Sequence, residues 1–201
     1  MVDEIRRRLR MRRVGHGGTL DPGATGLLIL LVGEATRKAG SLLETDKSYQ
    51  ATLRLGVTTD TQDAQGRTLE TRSVEDLSRQ QIEEACSRFR GSIEQEIPAY
   101  SAVRIGGRRS YDLARAGMAI PRRTRRIQIH ELKVLEVRLP EVELFVTCSK
   151  GTYIRTLCAD IGAALGVGGH LAKLHRTRIG SFSIKQAVSL EKAGPEHLIR
   201  L

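Results

Sequence analysis

The chain contains no tryptophan, three phenylalanines and four tyrosines among 201 residues, so it has no broad base-stacking platform of the kind single-strand binders use. It has three cysteines, Cys86, Cys148 and Cys158, and no Cys-x-x-Cys pair, which excludes a disulfide framework and a zinc knuckle. They are expected to be small core residues. There is no His-Glu-x-x-His, and His170 and His175 stand five apart, off a common helical face; no metal is expected. Long apolar runs are also missing. The longest, Leu27 to Val32, has six residues against the ~20 that span a bilayer, and no signal-peptide core follows Met1. The chain is read as cytoplasmic, without a membrane partner. Acids are in deficit as well: 33 Lys+Arg face 23 Asp+Glu, a net charge of +10, which favours a polyanionic partner, with nucleic acid as the first choice. A chain this long buries roughly 70% of its unfolded surface, so a real core is available.

The rest is organised around Val14 to Gly33, VGHGGTLDPGATGLLILLVG. Its first part is loop chemistry, rich in glycine, with Pro22 directly after the only carboxylate of the segment, Asp21. Its last part, Leu27 to Val32, reads as a buried strand. A dinucleotide fingerprint fails because Leu20 stands where glycine is needed, and a Walker loop fails for want of Gly-Lys-Ser/Thr. One carboxylate, the His16 imidazole and a glycine frame remain. On these residues alone, a reactive loop and a structural turn with an Asp-Pro pair are both open.

Residues 3 to 13, DEIRRRLRMRR, place acids before arginines, as a helix dipole prefers; the arginines either form a solvated face or contact phosphates. Glu34 to Thr45 reads as a helix, and residues 47 to 71 as a hairpin with a long tip. Ser78 and Gln81 form a capping box ahead of Ile82, Ala85, Cys86 and Phe89 at helical spacing. From 97 to 126 the chain is dense in arginine (Arg104, Arg108, Arg109, Arg115, Arg122, Arg123, Arg125, Arg126), with Tyr100 and Tyr111 between and a Gly106-Gly107 turn. A surface hairpin or an RNA-contacting flap fits. Ile127 to Val137 and Val142 to Cys148 read as paired strands across Pro140. Ile154, Leu157, Cys158, Ile161 and Leu165 mark an amphipathic helix. Arg155 lies near the start of that helix, where a cation opposes the dipole and needs another reason to be. Beyond His170, a short Leu171 to Leu174 segment, a strand near Phe182 to Ile184 and a final helical turn are expected.

Four segments are together similar to the TruB-type tRNA pseudouridine synthases: GHGGTLDPGATGLL at 15 to 28, KSYQATLRLGVTTDTQDAQG at 47 to 66, PAYSAVRIGGRRSYDLARAG at 98 to 117, and SKGTYIRTLCADIGAALGVGGHLAKLHRTRIGSF at 149 to 182. The resemblance implies an α+β fold, a mixed, largely antiparallel sheet with flanking helices and a central catalytic cleft. It implies isomerisation of a uridine in the T-arm loop of tRNA, without metal or cofactor, by a monomer. Asp21 would be the catalytic residue and Arg155 would pair with it and orient it. His16 would fill the space left by the flipped nucleotide, Tyr49 and Tyr153 would stack on and contact the flipped base, and Leu174 would wall the pocket. The flap, about 98 to 126, corresponds to the family's thumb, so Arg104, Arg122, Arg123, Arg125 and Arg126 are expected on RNA phosphates. His16 as the loop's own hydrogen-bond partner stays open.

The expected organisation is one catalytic domain over 1–201 without a C-terminal PUA domain. The sequence starts inside the family's first helix, so a native start ~20 residues earlier, supplying a strand and a Lys-Pro segment, is a further expectation. His175 stands where the family more usually has arginine. Two rival readings are a non-catalytic RNA-binding or RNA-folding module and a guide-dependent synthase acting on ribosomal RNA. The presence of Asp21, Tyr49 and Arg155 opposes the first, and the complete thumb opposes the second.

Overall fold

The computed structural model describes residues 1–101 and 103–200, with only the backbone of Arg109. Helix α1 (Val2–Leu9) has Asp3 and Glu4 in its first turn and arginines in its last, and it ends where Arg10 turns left-handed at φ 51°. Arg6 pairs with Asp3, and Arg7 and Arg8 with Glu4, so these three cations are engaged within their own helix. Strands β1 (Val14–His16), β2 (Thr25–Gly26) and β3 (Leu30–Val32) follow. β1 and β3 pair antiparallel, His16 opposite Leu30. The expected six-residue buried strand is thus corrected: only its last three residues are extended and only Leu27 and Leu31 are buried. The reason is local. The remaining side chains of the run, with Ile5, Phe182 and Val188, line an open apolar groove.

The expected helix at 34 to 45 is a 3-10 segment, Gly33–Lys38, running into α2 (Ala39–Leu43). The expected hairpin over 47 to 71 is replaced by β4 (Lys47–Leu55), then β5 (Val57–Thr59) paired with β6 (Thr68–Thr71) in a separate two-stranded sheet. Gly56, at φ 81°, redirects the chain between them; a Cβ there would stand 2.6 Å from the carbonyl of Arg72. Helix α3 (Arg79–Ser87) carries the capping box of Ser78 and Gln81 and buries Ile82, Ala85 and Cys86. After β7 (Gly91–Glu96) comes the segment expected to form the thumb, with β8 (Arg104–Ile105), β9 (Arg108–Arg109) and α4 (Ser110–Arg115). β10 (Thr124–Arg138) and β11 (Glu141–Cys148) form the expected hairpin, and α5 (Ile154–Ala164) the expected amphipathic helix. The chain then enters β12 (Gly169–Ile179) and β13 (Phe182–Ser183).

β12 is the largest correction, an eleven-residue strand in place of the expected four-residue segment. Register shifts at Leu171/Lys173 and Arg176/Arg178 break its period, and two of its buried residues, His170 and Arg176, are polar. Alternation of apolar and polar residues therefore cannot reveal it. The main sheet runs β13-β12-β4-β11-β10-β7, with β2 added parallel to β12 at Thr25 and Gly26; among the described residues every other pairing between strands is antiparallel, and an isolated parallel bridge joins Asp63 to Leu171. The α+β, largely antiparallel expectation holds. Leu53, Val142, Leu144 and Val146 meet Ile82, Cys86, Leu157, Cys158 and Ile161 in one core, so α3 and α5 cover one face of the sheet. All three cysteines are buried and free.

Candidate active site

Asp21 sits in the loop between β1 and β2, on a turn closed by the Ala24 N–H donating to the Asp21 carbonyl at 2.9 Å. Its side chain is 44% exposed, whereas that of Arg155, in the first turn of α5, is 6% exposed. Arg155 Nε lies 2.9 Å from Asp21 Oδ2. The Nε–H has no aligned acceptor among the described residues, so the contact is ionic and off-line rather than a formed hydrogen bond. The other end of the guanidinium is held by two carbonyls: Nη1 donates to that of Thr61 at 3.1 Å and Nη2 to that of Tyr100 at 2.8 Å. Asp63 Oδ2 stands 3.9 Å from Nη1. A cation at a helix start is thereby explained. Two loops hold it so that its remaining edge faces one carboxylate at the surface.

The loop that supplies Thr61 and Asp63 is itself fastened. Gln62, at φ 64°, accepts from Thr156 Oγ1 at 2.8 Å through its side chain and from the Leu171 N–H at 3.0 Å through its carbonyl. Asp63 Oδ1 accepts from Thr61 Oγ1 and from the Gln65 N–H. Buried Gln95 on β7 grips the backbone at the start of α5, its Oε1 accepting from the Tyr153 N–H at 2.8 Å and its Nε2 donating to the Tyr153 carbonyl at 3.0 Å.

Tyr49 on β4 is buried, and that burial pushes its phenol up to about 12; neighbouring Cys148 adds to the shift, Arg176 opposes it, and Asp21 adds least. Leu174 on β12 is buried opposite Ala51. Half-buried Tyr153 is the N-cap of α5. His16 is exposed, with Nδ1 3.4 Å from the Gly18 N–H, so its role as the loop's own partner has a geometric basis.

The thumb arginines divide. Arg104 on β8, Arg122 and Arg123 are exposed; Arg122 stands 3.7 Å from Glu96, and the Arg123 carbonyl accepts from the Ile97 N–H at 2.9 Å, closing the root of the thumb. Arg125 and Arg126 lie in β10 of the main sheet, opposite Gln95 and Glu94. Arg125 also packs over Gly151, where a Cβ would collide with its guanidinium. Within the thumb, the Tyr100 and Tyr111 rings meet edge to face at 6.2 Å and the Arg115 guanidinium lies 4.5 Å over Tyr111.

Two charged residues of this site escape a reading of the sequence. Asp63 carries the same local signal as Asp21, an acid in a turn-forming cluster after a strand. Arg176 has none, being one of several basic residues in a polar-looking stretch, although it is 2% exposed.

The largely antiparallel sheet with α3 and α5 on one face is the pseudouridine synthase fold, and in it a half-exposed carboxylate stands over a buried guanidinium. Two solved structures share it: a Cbf5-Nop10-Gar1 complex (32% identity, TM-score 0.70, 90% of this chain and 45% of that one) and an H/ACA RNP bound to a substrate RNA containing 2'-deoxyuridine (29%, 0.70, 94% and 46%). Residues 6–154 match the TruB family pseudouridylate synthase N-terminal domain, and residues 155–194 the tRNA pseudouridylate synthase B C-terminal domain. Proteins named tRNA pseudouridine synthase B from Mycobacterium sp. (strain KMS) and Azoarcus sp. (strain BH72) are 45% identical over 98% of this chain and 50% over 94%, and the chain spans 67% and 63% of their lengths. The chain belongs to the TruB family of pseudouridylate synthases. The boundary between the two matched segments falls at the start of α5, yet that helix shares one core with β4 and β11.

Proposed function

We propose that this chain isomerises a uridine in the T-arm loop of tRNA to pseudouridine, with Asp21 as the catalytic carboxylate. The net change breaks the bond from C1′ of the ribose to N1 of the base and forms one from C1′ to C5; C5 loses a proton and N1 gains one, so atoms and electrons balance. The observation that carries the reading is the 2.9 Å approach of buried Arg155 to half-exposed Asp21, which points a charged, oriented carboxylate outward. The reacting atoms of a stacked loop are reachable only after the nucleotide is flipped out. Buried Tyr49 and Leu174, with Tyr153 at the start of α5, would contact the flipped base, and exposed His16 would occupy the vacated stack. A phenol raised to about 12 stays protonated across the working range, so Tyr49 acts as a neutral ring and donor. The thumb arginines and the net charge of +10 suit phosphate contacts.

The likeness to H/ACA assemblies carries a second reading, in which a guide RNA presents the substrate. Identity of 45 to 50% to proteins named for tRNA, against 29 to 32% to those assemblies, favours the stand-alone reading. Tritium release from C5-labelled uridine in an unmodified tRNA transcript, with no guide added, tests both. Release by the parent chain, abolished in Asp21→Asn while tRNA still binds, is the expected result. Silence from the parent sinks the reading, and turnover by the variant at a tenth of the parent rate or more removes Asp21 from the chemistry.

A further inference from the structure

The loop that carries Asp21 is held at both ends by one side chain outside it. Arg176 of β12 donates from Nη2 to the Gly18 carbonyl at 3.1 Å, from Nη1 to the Thr19 carbonyl at 3.2 Å and from Nε to the Leu27 carbonyl at 2.8 Å. Gly18 and Thr19 precede Asp21; Leu27 follows it. The backbone of Arg176 completes the attachment, its carbonyl accepting from the Leu27 N–H at 2.8 Å while β2 pairs with β12 at Gly26. The fit is close enough that a Cβ on Gly26 would stand 2.7 Å from the Arg176 nitrogen, so glycine is required there on contact as well as on its φ of 99°.

This is an unusual place for a charge. Burial holds the Arg176 guanidinium below its ordinary value, and the neighbour that offsets this is the phenol of Tyr49, a neutral group. A buried cation satisfied by backbone carbonyls is an expensive way to brace a turn, and a hydrophobic residue of similar size would brace the strand equally well. What the guanidinium adds is a planar fork with donors at fixed angles, able to hold three carbonyls in one relative arrangement. Because the flanking residues are tied on both sides, the backbone of the Asp21 loop is held relative to β12 and to Tyr49, which lies opposite Arg176 across the β4–β12 ladder.

We infer that Arg176 is a positioning residue for the isomerisation: it sets the place of the Asp21 loop relative to Arg155 and Tyr49 without touching substrate. The inference rests on the reading of Asp21 as the catalytic carboxylate. Its consequence is a separation of rate from affinity. A catalytic atom displaced by about 1 Å loses on the order of a hundredfold in rate, while the RNA-binding surface is untouched.

The experiment compares the parent chain with Arg176→Lys, Arg176→Gln and Arg176→Ala, below their thermal midpoints, by tritium release under saturating enzyme and by tRNA affinity. The expected result is a rate lower by roughly thirty- to a hundredfold in Arg176→Lys and Arg176→Gln with affinity within threefold of the parent, a split that a purely structural role would not give, and partial recovery of Arg176→Ala by added guanidinium ion. A folded variant within threefold of the parent rate, or a drop in affinity that matches the drop in rate, overturns the inference. So does loss of the folded state in all three variants, which assigns Arg176 to stability alone. An inactive parent would instead remove the reading of Asp21 on which the inference rests.

Discussion

Arg155 on α5 donates through Nη2 to the backbone carbonyl of Tyr100 at 2.8 Å, and so ties the buried cation beside Asp21 to the root of the thumb. A second bond, to the carbonyl of Thr61, ties the same cation to the loop that carries Asp63. Three segments remote in sequence thus converge on one planar group.

Arg155→Lys tests that geometry. An ammonium keeps the charge but is a single point, able to face Asp21 or one carbonyl and not all of them together. Turnover is expected to fall by about a hundredfold while tRNA affinity stays within about threefold, read by tritium release and by fluorescence anisotropy. An unchanged turnover number would show that the 2.9 Å approach has no part in the reaction.

The exposed arginines of the thumb predict a charge effect without sequence preference. Neutralising Arg104, Arg122 and Arg123 together should flatten the slope of log affinity against log salt by roughly 0.7 to 0.9 for each RNA phosphate left without its cation, for every T-arm sequence alike. Arg125 and Arg126, in the β10–β7 ladder, are expected to give a smaller change in slope, and Arg125→Ala weaker packing over Gly151 as well. Weakening confined to particular loop sequences would indicate base readout instead.

Asp160 on α5 predicts a pH dependence of stability. Burial, and then the charge of Glu96, raise its carboxyl from 3.8 to about 6. The folded state therefore binds this proton more tightly than the unfolded state does, so the contribution is fully present below about 4 and is lost as pH rises through 6. Asp160→Asn removes the cost of the buried charge. It should be more stable than the parent at pH 8, by on the order of 1 kcal/mol after allowance for solvent around a partly exposed group, with the gain vanishing near pH 4. Thermal midpoints across that range decide it; an equal gain at both ends would contradict the assignment.

Local signals in the sequence worked where the structure obeys local physics. The Ser78–Gln81 capping box, the apolar stripe from Ile154 to Ile161 and the β10–β11 hairpin depend on neighbours a few residues apart, and each stands where the spacing places it. The same reasoning misread β4 and β6 as partners, because alternation identifies a strand without saying which strand it will lie beside. It missed most of β12, because bulges shift the period and the core there accepts His170 and Arg176.

The site divides in the same way. By itself the sequence determined which residue types are present: one carboxylate in a glycine-framed loop, an arginine at a helix start that its own helix does not explain, a surplus of positive charge and motifs that resemble one family. The resemblance also implied that Arg155 pairs with Asp21; the tertiary structure alone decided that Thr61 and Tyr100 hold the cation by their carbonyls, and that Arg176 clasps both flanks of the Asp21 loop. The physical reason is that these bonds end on backbone carbonyls, which every residue carries, across separations of 55 to 158 positions. No choice of side chain at the accepting position marks such a bond, so only the packing of the sheet and α5 brings its two ends together.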